Sequence, residues 1–183
     1  RVAGPRHAAA GVGGRGGQDP GVQPIAYGRS QRGSDSPIFL KLPTFADEMR
    51  RQRGSHVVSL SLKARSAIML AGHGGDAVTW LSESVDGWET STAFATAPVP
   101  AVSVFTAANP IAADYGKTWT LSLPPEKYKE PDAGVGEAPP PGWTATFPHV
   151  LNGLPTTKSA DSAYYSQWER SPYADEYVGR FAA

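Results

Sequence analysis

Between residues 56 and 94 the hydrophobic period switches repeatedly, and that switching limits the architectures open to the chain. His56-Val57-Val58-Ser59-Leu60-Ser61-Leu62 is short, β-branched and alternating towards its end, which predicts a strand. Ala64 to Leu70 reads as a short helix broken by Gly72-His73-Gly74-Gly75, and Ala77-Val78-Thr79-Trp80-Leu81 as a second strand. Val85-Asp86-Gly87 is a turn into a third strand, Trp88 to Phe94, which forms a hairpin with the second. Upstream, Thr44 caps a helix whose Asp47 and Glu48 suit the positive N-terminal dipole and whose Arg50, Arg51 and Arg53 suit the other end; Gly54 stops it. Pro98 to Asn109 reads as a helix across the open edge of the sheet. The stretch from Ser162 to Ala183 is helical, with Ser171 and Pro172 as cap and first residue of a last helix. The class is α/β. Two or three strands are too few for a self-contained sheet, so the expected architecture is an incomplete sandwich.

Composition narrows this further. The 183 residues include 20 Gly and 17 Pro, about a fifth of the chain against a usual ~12%. That favours long loops over a helical bundle, and the acidic, Pro-rich stretch from Pro124 to Pro148 reads as an insertion loop. The absence of Cys excludes a disulfide scaffold, a Cys-ligated metal and thiol catalysis. No apolar run has the ~18 residues of a membrane span. Residues 1–23 are Gly-, Ala- and Arg-rich without period and read as a disordered or foreign leader. The net charge of zero hides an asymmetry: residues 1–65 hold eleven Lys/Arg against four Asp/Glu, and the rest reverses it. The basic residues are scattered without interleaved aromatics, which argues against a nucleic-acid partner.

No catalytic constellation is complete. The four His, at 7, 56, 73 and 149, show no metal-ligand spacing. His73 and Asp76 could share a metal, but a hydrogen-bonded pair that stabilises their loop is the preferred account, since a metal site needs at least three convergent ligands. Gly11 to Gly17 imitates a phosphate loop but follows no apolar strand. Lys63 and Arg65 are sharper. They follow the carboxyl end of a strand, where open α/β sheets place ligand-binding groups. Two apart on an extended stretch they would face one side, and a mobile ammonium beside a guanidinium fork suits a tetrahedral oxyanion.

The run from Val57 to His73, continuing through Asp76-Ala77-Val78-Thr79-Trp80-Leu81, resembles the alkaline phosphatase superfamily. It is most similar to the bacterial branch with a Thr nucleophile and a Lys-x-Arg pair, related to nucleotide pyrophosphatases and phosphodiesterases. Pro43-Thr44-Phe45-Ala46-Asp47-Glu48, Trp88 with Ser91-Thr92-Ala93-Phe94, Tyr115 to Thr120, Phe147-Pro148-His149 and Ser171 to Glu176 fit the same branch in the same order. The resemblance covers roughly residues 20–183 and implies that 24–183 is the central segment of an alkaline-phosphatase-like domain, including part of its insertion or cap. It places Lys63 and Arg65 on the phosphoryl oxygens of a substrate.

The same resemblance implies two zinc ions, a Thr nucleophile and an Asn, none of them supplied by this chain, which has no Asp-His pair and no His four residues after an Asp. It therefore gives no metal or catalytic role to any residue here. The expected function is the central fragment of a zinc-dependent phosphate-ester hydrolase, with monoesters favoured, whose missing partners are the N- and C-terminal parts of its own domain. The parent is expected to be exported to the periplasm or secreted, and the isolated chain to be inactive. The alternative is a non-catalytic oxyanion- or protein-binding remnant.

Overall fold

The computed structural model describes residues 17–28, 34–82 and 87–183. Among them the strands are β1 (Gly17–Gln18), β2 (Pro24–Gly28), β3 (Asp35–Ser36), β4 (Val58–Ser61), β5 (Ala77–Leu81), β6 (Gly87–Ser91), β7 (Thr118–Trp119) and β8 (His149–Val150). The helices are α1 (Phe45–Arg53), α2 (Ala64–Ala71), α3 (Pro100–Ala108), α4 (Ser162–Glu169) and α5 (Pro172–Ala182), with 3₁₀ turns at Pro37–Phe39, Ile111–Asp114 and Pro125–Lys127.

The central sheet has the order β2-β6-β5-β4, with β4 parallel to β5 and the other pairs antiparallel. It is a mixed sheet with helices on both faces. Val78 and Trp80 point to one face, where Ala67, Ile68 and Ala71 of α2 bury against them. Tyr27, Leu81 and Trp88 join the larger cluster, which Val102 of α3, Tyr164 and Trp168 of α4 and Ala174 and Tyr177 of α5 complete. Aromatic area dominates this second layer: the Trp88 and Tyr177 rings stack at 5.6 Å and 10°.

The expected α1, α2 and β5 form where the pattern placed them. Thr44 and Asp47 make a reciprocal capping box, and Gly54 ends α1 in the left-handed region at φ 62°. Four local features differ from expectation. The strand β2 was not foreseen: it pairs with β6 over five residues, and α3 lies against it rather than across an open edge. The third strand stops at Ser91, because the Ser91 carbonyl accepts from the Phe94 and Ala95 N–H groups and turns the chain away. Ser171 sits at the cap position of α5, yet its hydroxyl donates backwards to Trp168 O (2.8 Å) and caps nothing. Within the expected leader, residues 17–18 pair with Asp35–Ser36, while residues 1–16 and part of the β5–β6 turn (83–86) lie outside the described residues.

The Pro-rich excursion leaves through β7 and returns through β8, which pair with each other. Gln167, fully buried on α4, fastens it: its Oε1 accepts from the Asn152 and Gly153 N–H groups, and its Nε2 donates to Pro141 O (2.8 Å). At the other border β4 pairs with β5 alone among the described strands, and Val58, Met69, Leu70, Phe45 and Leu42 are exposed nearby in the chain.

Candidate functional site

Ser59 ties β4 to the helix that follows it: its hydroxyl donates to Ala67 O (2.8 Å) in the buried β4–α2 seam. Lys63 closes the strand-to-helix turn. Its N–H donates to Ser61 Oγ (3.2 Å), and its carbonyl accepts the first helical bond from Ala67 N (3.1 Å). Extended backbone ends at Lys63 (φ −132°, ψ 130°), and Ala64 and Arg65 already belong to the first turn of α2. The strand-like alternation that would set Lys63 and Arg65 on one side therefore does not reach Arg65. Both residues instead border the N-terminus of α2, which no side chain caps. First-turn N–H groups and the positive end of the helix dipole favour an anion there.

Lys63 is not simply solvated. Its ammonium pairs with the carboxylate of Glu169, the last residue of α4, whose side chain is only 13% exposed. No sequence motif links positions 63 and 169, so this contact could not have been read from spacing.

His73 and Asp76 lie at the far end of α2, about 12 Å along an eight-residue helix. They do not pair with each other. Asp47 accepts from the Thr44 N–H (2.8 Å), the Thr44 hydroxyl (3.1 Å), the His73 N–H (2.8 Å) and His73 Nδ1 (2.9 Å). Burial alone would raise the Asp47 carboxyl, but these donors outweigh it and hold it at about 2. His73 Nε2 meets Leu40 O at 3.1 Å. Carboxylate and carbonyl are both acceptors, so the two contacts favour the charged ring, and the Asp47 bond, followed by that to Leu40, raises the His73 pKa. Asp76 accepts from the Val57 N–H (2.7 Å) and pairs with His56 and Arg50.

His149 is buried among the Trp119, Trp143 and Phe147 rings, with Nδ1 unpartnered. Burial lowers its pKa, opposed by Asp132 and Glu137. His56, His73 and His149 are thus committed to fastening or buried in an aromatic cluster, and among the described residues no three His, Asp or Glu side chains converge on a metal position. These residues do not fit a zinc centre. A cleft of roughly 380 Å³ opens elsewhere, beside Tyr27, Trp88, Asn109 and Tyr177, and neither Lys63 nor Arg65 lines it.

No protein-family model matches the chain. Alkaline phosphatase PhoV of Synechococcus elongatus is 28% identical over 158 residues, covering 84% of this chain and 28% of that protein. A calcium-transporting ATPase of Myroides odoratus is 28% identical over 113 residues, covering 61% of this chain and 20% of that protein. The crystal structure of wild-type alkaline phosphatase PafA superposes with a TM-score of 0.72 at 26% identity, over 90% of this chain and 32% of that one. The chain is related to the alkaline phosphatase superfamily.

Its mixed sheet and flanking helices form part of an alkaline-phosphatase-like fold, as the motifs implied. The chain spans a fifth to a third of the length of the alkaline phosphatases and the ATPase it matches. A second structure superposes with a TM-score of 0.66 at 24% identity; it is a PafA variant with a threonine, an asparagine, a lysine and the arginine two positions beyond that lysine replaced. Alkaline phosphatases generally use metal ions and are often periplasmic or extracellular. In this chain no helix among the described residues is long and apolar enough to cross a membrane.

Proposed function

We propose that this chain is the phosphoryl-binding segment of an exported phosphate-ester hydrolase that prefers monoesters. The observation that carries the reading is the placement of Lys63 and Arg65 at the carboxyl end of β4, around an uncapped helix N-terminus. The fold around them is alkaline-phosphatase-like, and PafA has a lysine and an arginine at the same two-residue spacing. In this reading Lys63 supplies a compact ammonium and Arg65 a planar fork beside a helix N-terminus whose dipole favours an anion. A monoester dianion can engage both cations, whereas a diester offers one charge fewer.

Their role is electrostatic. Fixed cations stabilise charge on the non-bridging oxygens as the phosphoryl group transfers, and cost no reorganisation at that moment. The nucleophile and the zinc ligands of the reading belong to the remainder of such a domain, and no chemical step is assigned to them here.

The test is kcat/KM for one monoester and one diester in a phosphatase domain containing this segment. Lys63→Ala and Arg65→Ala should each lower the monoester value by roughly 10²–10³, as loss of an oxyanion donor does. The double variant should lose less than the product of the two, because both cations act on one phosphate. Values within about threefold of wild type for all three variants would refute the assignment.

A further inference from the structure

The Lys63–Glu169 pair puts a negative charge into a site otherwise built from positive ones. Glu169 closes α4, where the negative end of the helix dipole disfavours a carboxylate. Its neighbour Arg170 turns back to donate to Ser166 O (3.0 Å), while Lys63 offsets the Glu169 charge from across the fold. Glu169 is 13% exposed and Lys63 46%, so the carboxylate is the more enclosed member of the pair. The two cations alone would present a formal charge of two; with Glu169 they present one.

We propose that Glu169 is a specificity-determining residue: by pairing with Lys63 it trims the charge of the phosphate site and restrains its preference for doubly over singly charged phosphates. This rests on the phosphate-binding reading of Lys63 and Arg65. Coulomb energy scales with ligand charge, so removing one negative charge at a fixed distance changes the binding free energy of a dianion twice as much as that of a monoanion. A gain of about threefold for the monoanion therefore becomes about tenfold for the dianion. Glu169 does not touch the phosphate; it acts through Lys63.

The experiment titrates the 183-residue chain with inorganic phosphate at pH 8 and with dimethyl phosphate, by calorimetry at low ionic strength. Glu169→Gln should raise phosphate affinity about tenfold and dimethyl phosphate affinity about threefold. Glu169→Ala, a second neutral variant, should move the ratio in the same sense, and Glu169→Asp should keep the wild-type ratio within about twofold. In a Lys63→Ala background Glu169→Gln should change the ratio less. A folded neutral variant that shifts both anions by one common factor, or neither, overturns the proposal and leaves Glu169 a structural partner. If phosphate fails to bind the wild-type chain, or binds Lys63→Ala equally well, the phosphate-site reading itself fails and this proposal falls with it.

Discussion

Replacing Gly72 with Ala should destabilise the chain by about 3–5 kcal/mol. Gly72 adopts φ 76° and ψ −140°, a region only glycine occupies readily, and a non-glycine residue there costs ~1–3 kcal/mol. A Cβ would also overlap Asp47 Oδ2 and Thr44 Oγ1, so it collides with both members of the α1 capping box. Relieving the overlap separates the 72–73 turn from α1. That sacrifices a cap worth ~1 kcal/mol and the carboxylate bonds to His73, ~1.5–3 kcal/mol before a discount for a half-exposed imidazole. Gly54→Ala is the control: φ is 62° there too, but a Cβ meets nothing within 4 Å, so only ~1 kcal/mol of backbone cost is expected. Urea unfolding followed by the fluorescence of the five Trp gives both values, compared at equal m. Gly72→Ala combined with Asp47→Ala should cost less than the sum, since both undo one contact. If Gly72→Ala falls within about 1 kcal/mol of Gly54→Ala, the collision argument is wrong.

The Asp47–His73 pair should leave a signature in pH. Asp47 lies at about 2 when folded against an ordinary carboxyl value of 3.8, so its contribution is present above 3.8 and lost as pH falls through about 2. That gap corresponds to about 2 kcal/mol, and Asp47→Asn should flatten the acid limb of stability by that amount. His73 has the opposite sign: its folded pKa is raised, so its contribution is full below 6.5 and fades as pH rises through the folded value. Urea midpoints across pH 2–8 check both, and an unchanged acid limb in Asp47→Asn refutes the first. Gln167→Leu should cost about 2–4 kcal/mol, because it strands the buried Gly153 N–H and releases the Pro141 and Gly153 carbonyls. It should also speed proteolysis between residues 120 and 148, and a loss below about 1 kcal/mol would show that the loop is held by other means.

Legibility followed the range of the forces involved. The elements α1, α2 and β5 are set by neighbours in sequence, through caps, period and glycine, and were readable as such. The strand β2 is made by its partner: Pro24-Ile25-Ala26-Tyr27-Gly28 has little propensity of its own. Its order comes from five pairings with β6 and from Tyr27, whose hydroxyl accepts from the Val99 N–H 72 residues away. For Lys63 and Arg65 the Lys-x-Arg pattern gave the wrong local geometry. Helix begins at Ala64, one residue before the alternation could carry Arg65 to the side of Lys63. The charge that modifies Lys63 comes from Glu169, and such a contact exists only once α4 is packed. The His73–Asp76 pair expected from the sequence does not form: each residue fastens the loop to a different partner, Asp47 and Val57.

The clasp at the foot of the Pro-rich excursion bears on what can be built onto this fold. Its ends are joined by β7 and β8, by Trp143 Nε1 donating to Val150 O (2.7 Å) and by Asp132 accepting from the Phe147 N–H (2.9 Å). The segment between β7 and Asp132, residues 122–131, is exposed throughout. Closing a loop whose ends are already fixed grows only with the logarithm of its length, about 0.6 kcal/mol per doubling. That segment is therefore a graft point, where a peptide epitope, a reporter or a substrate-contacting arm can be spliced in while the sheet and the Lys63 turn stay as they are.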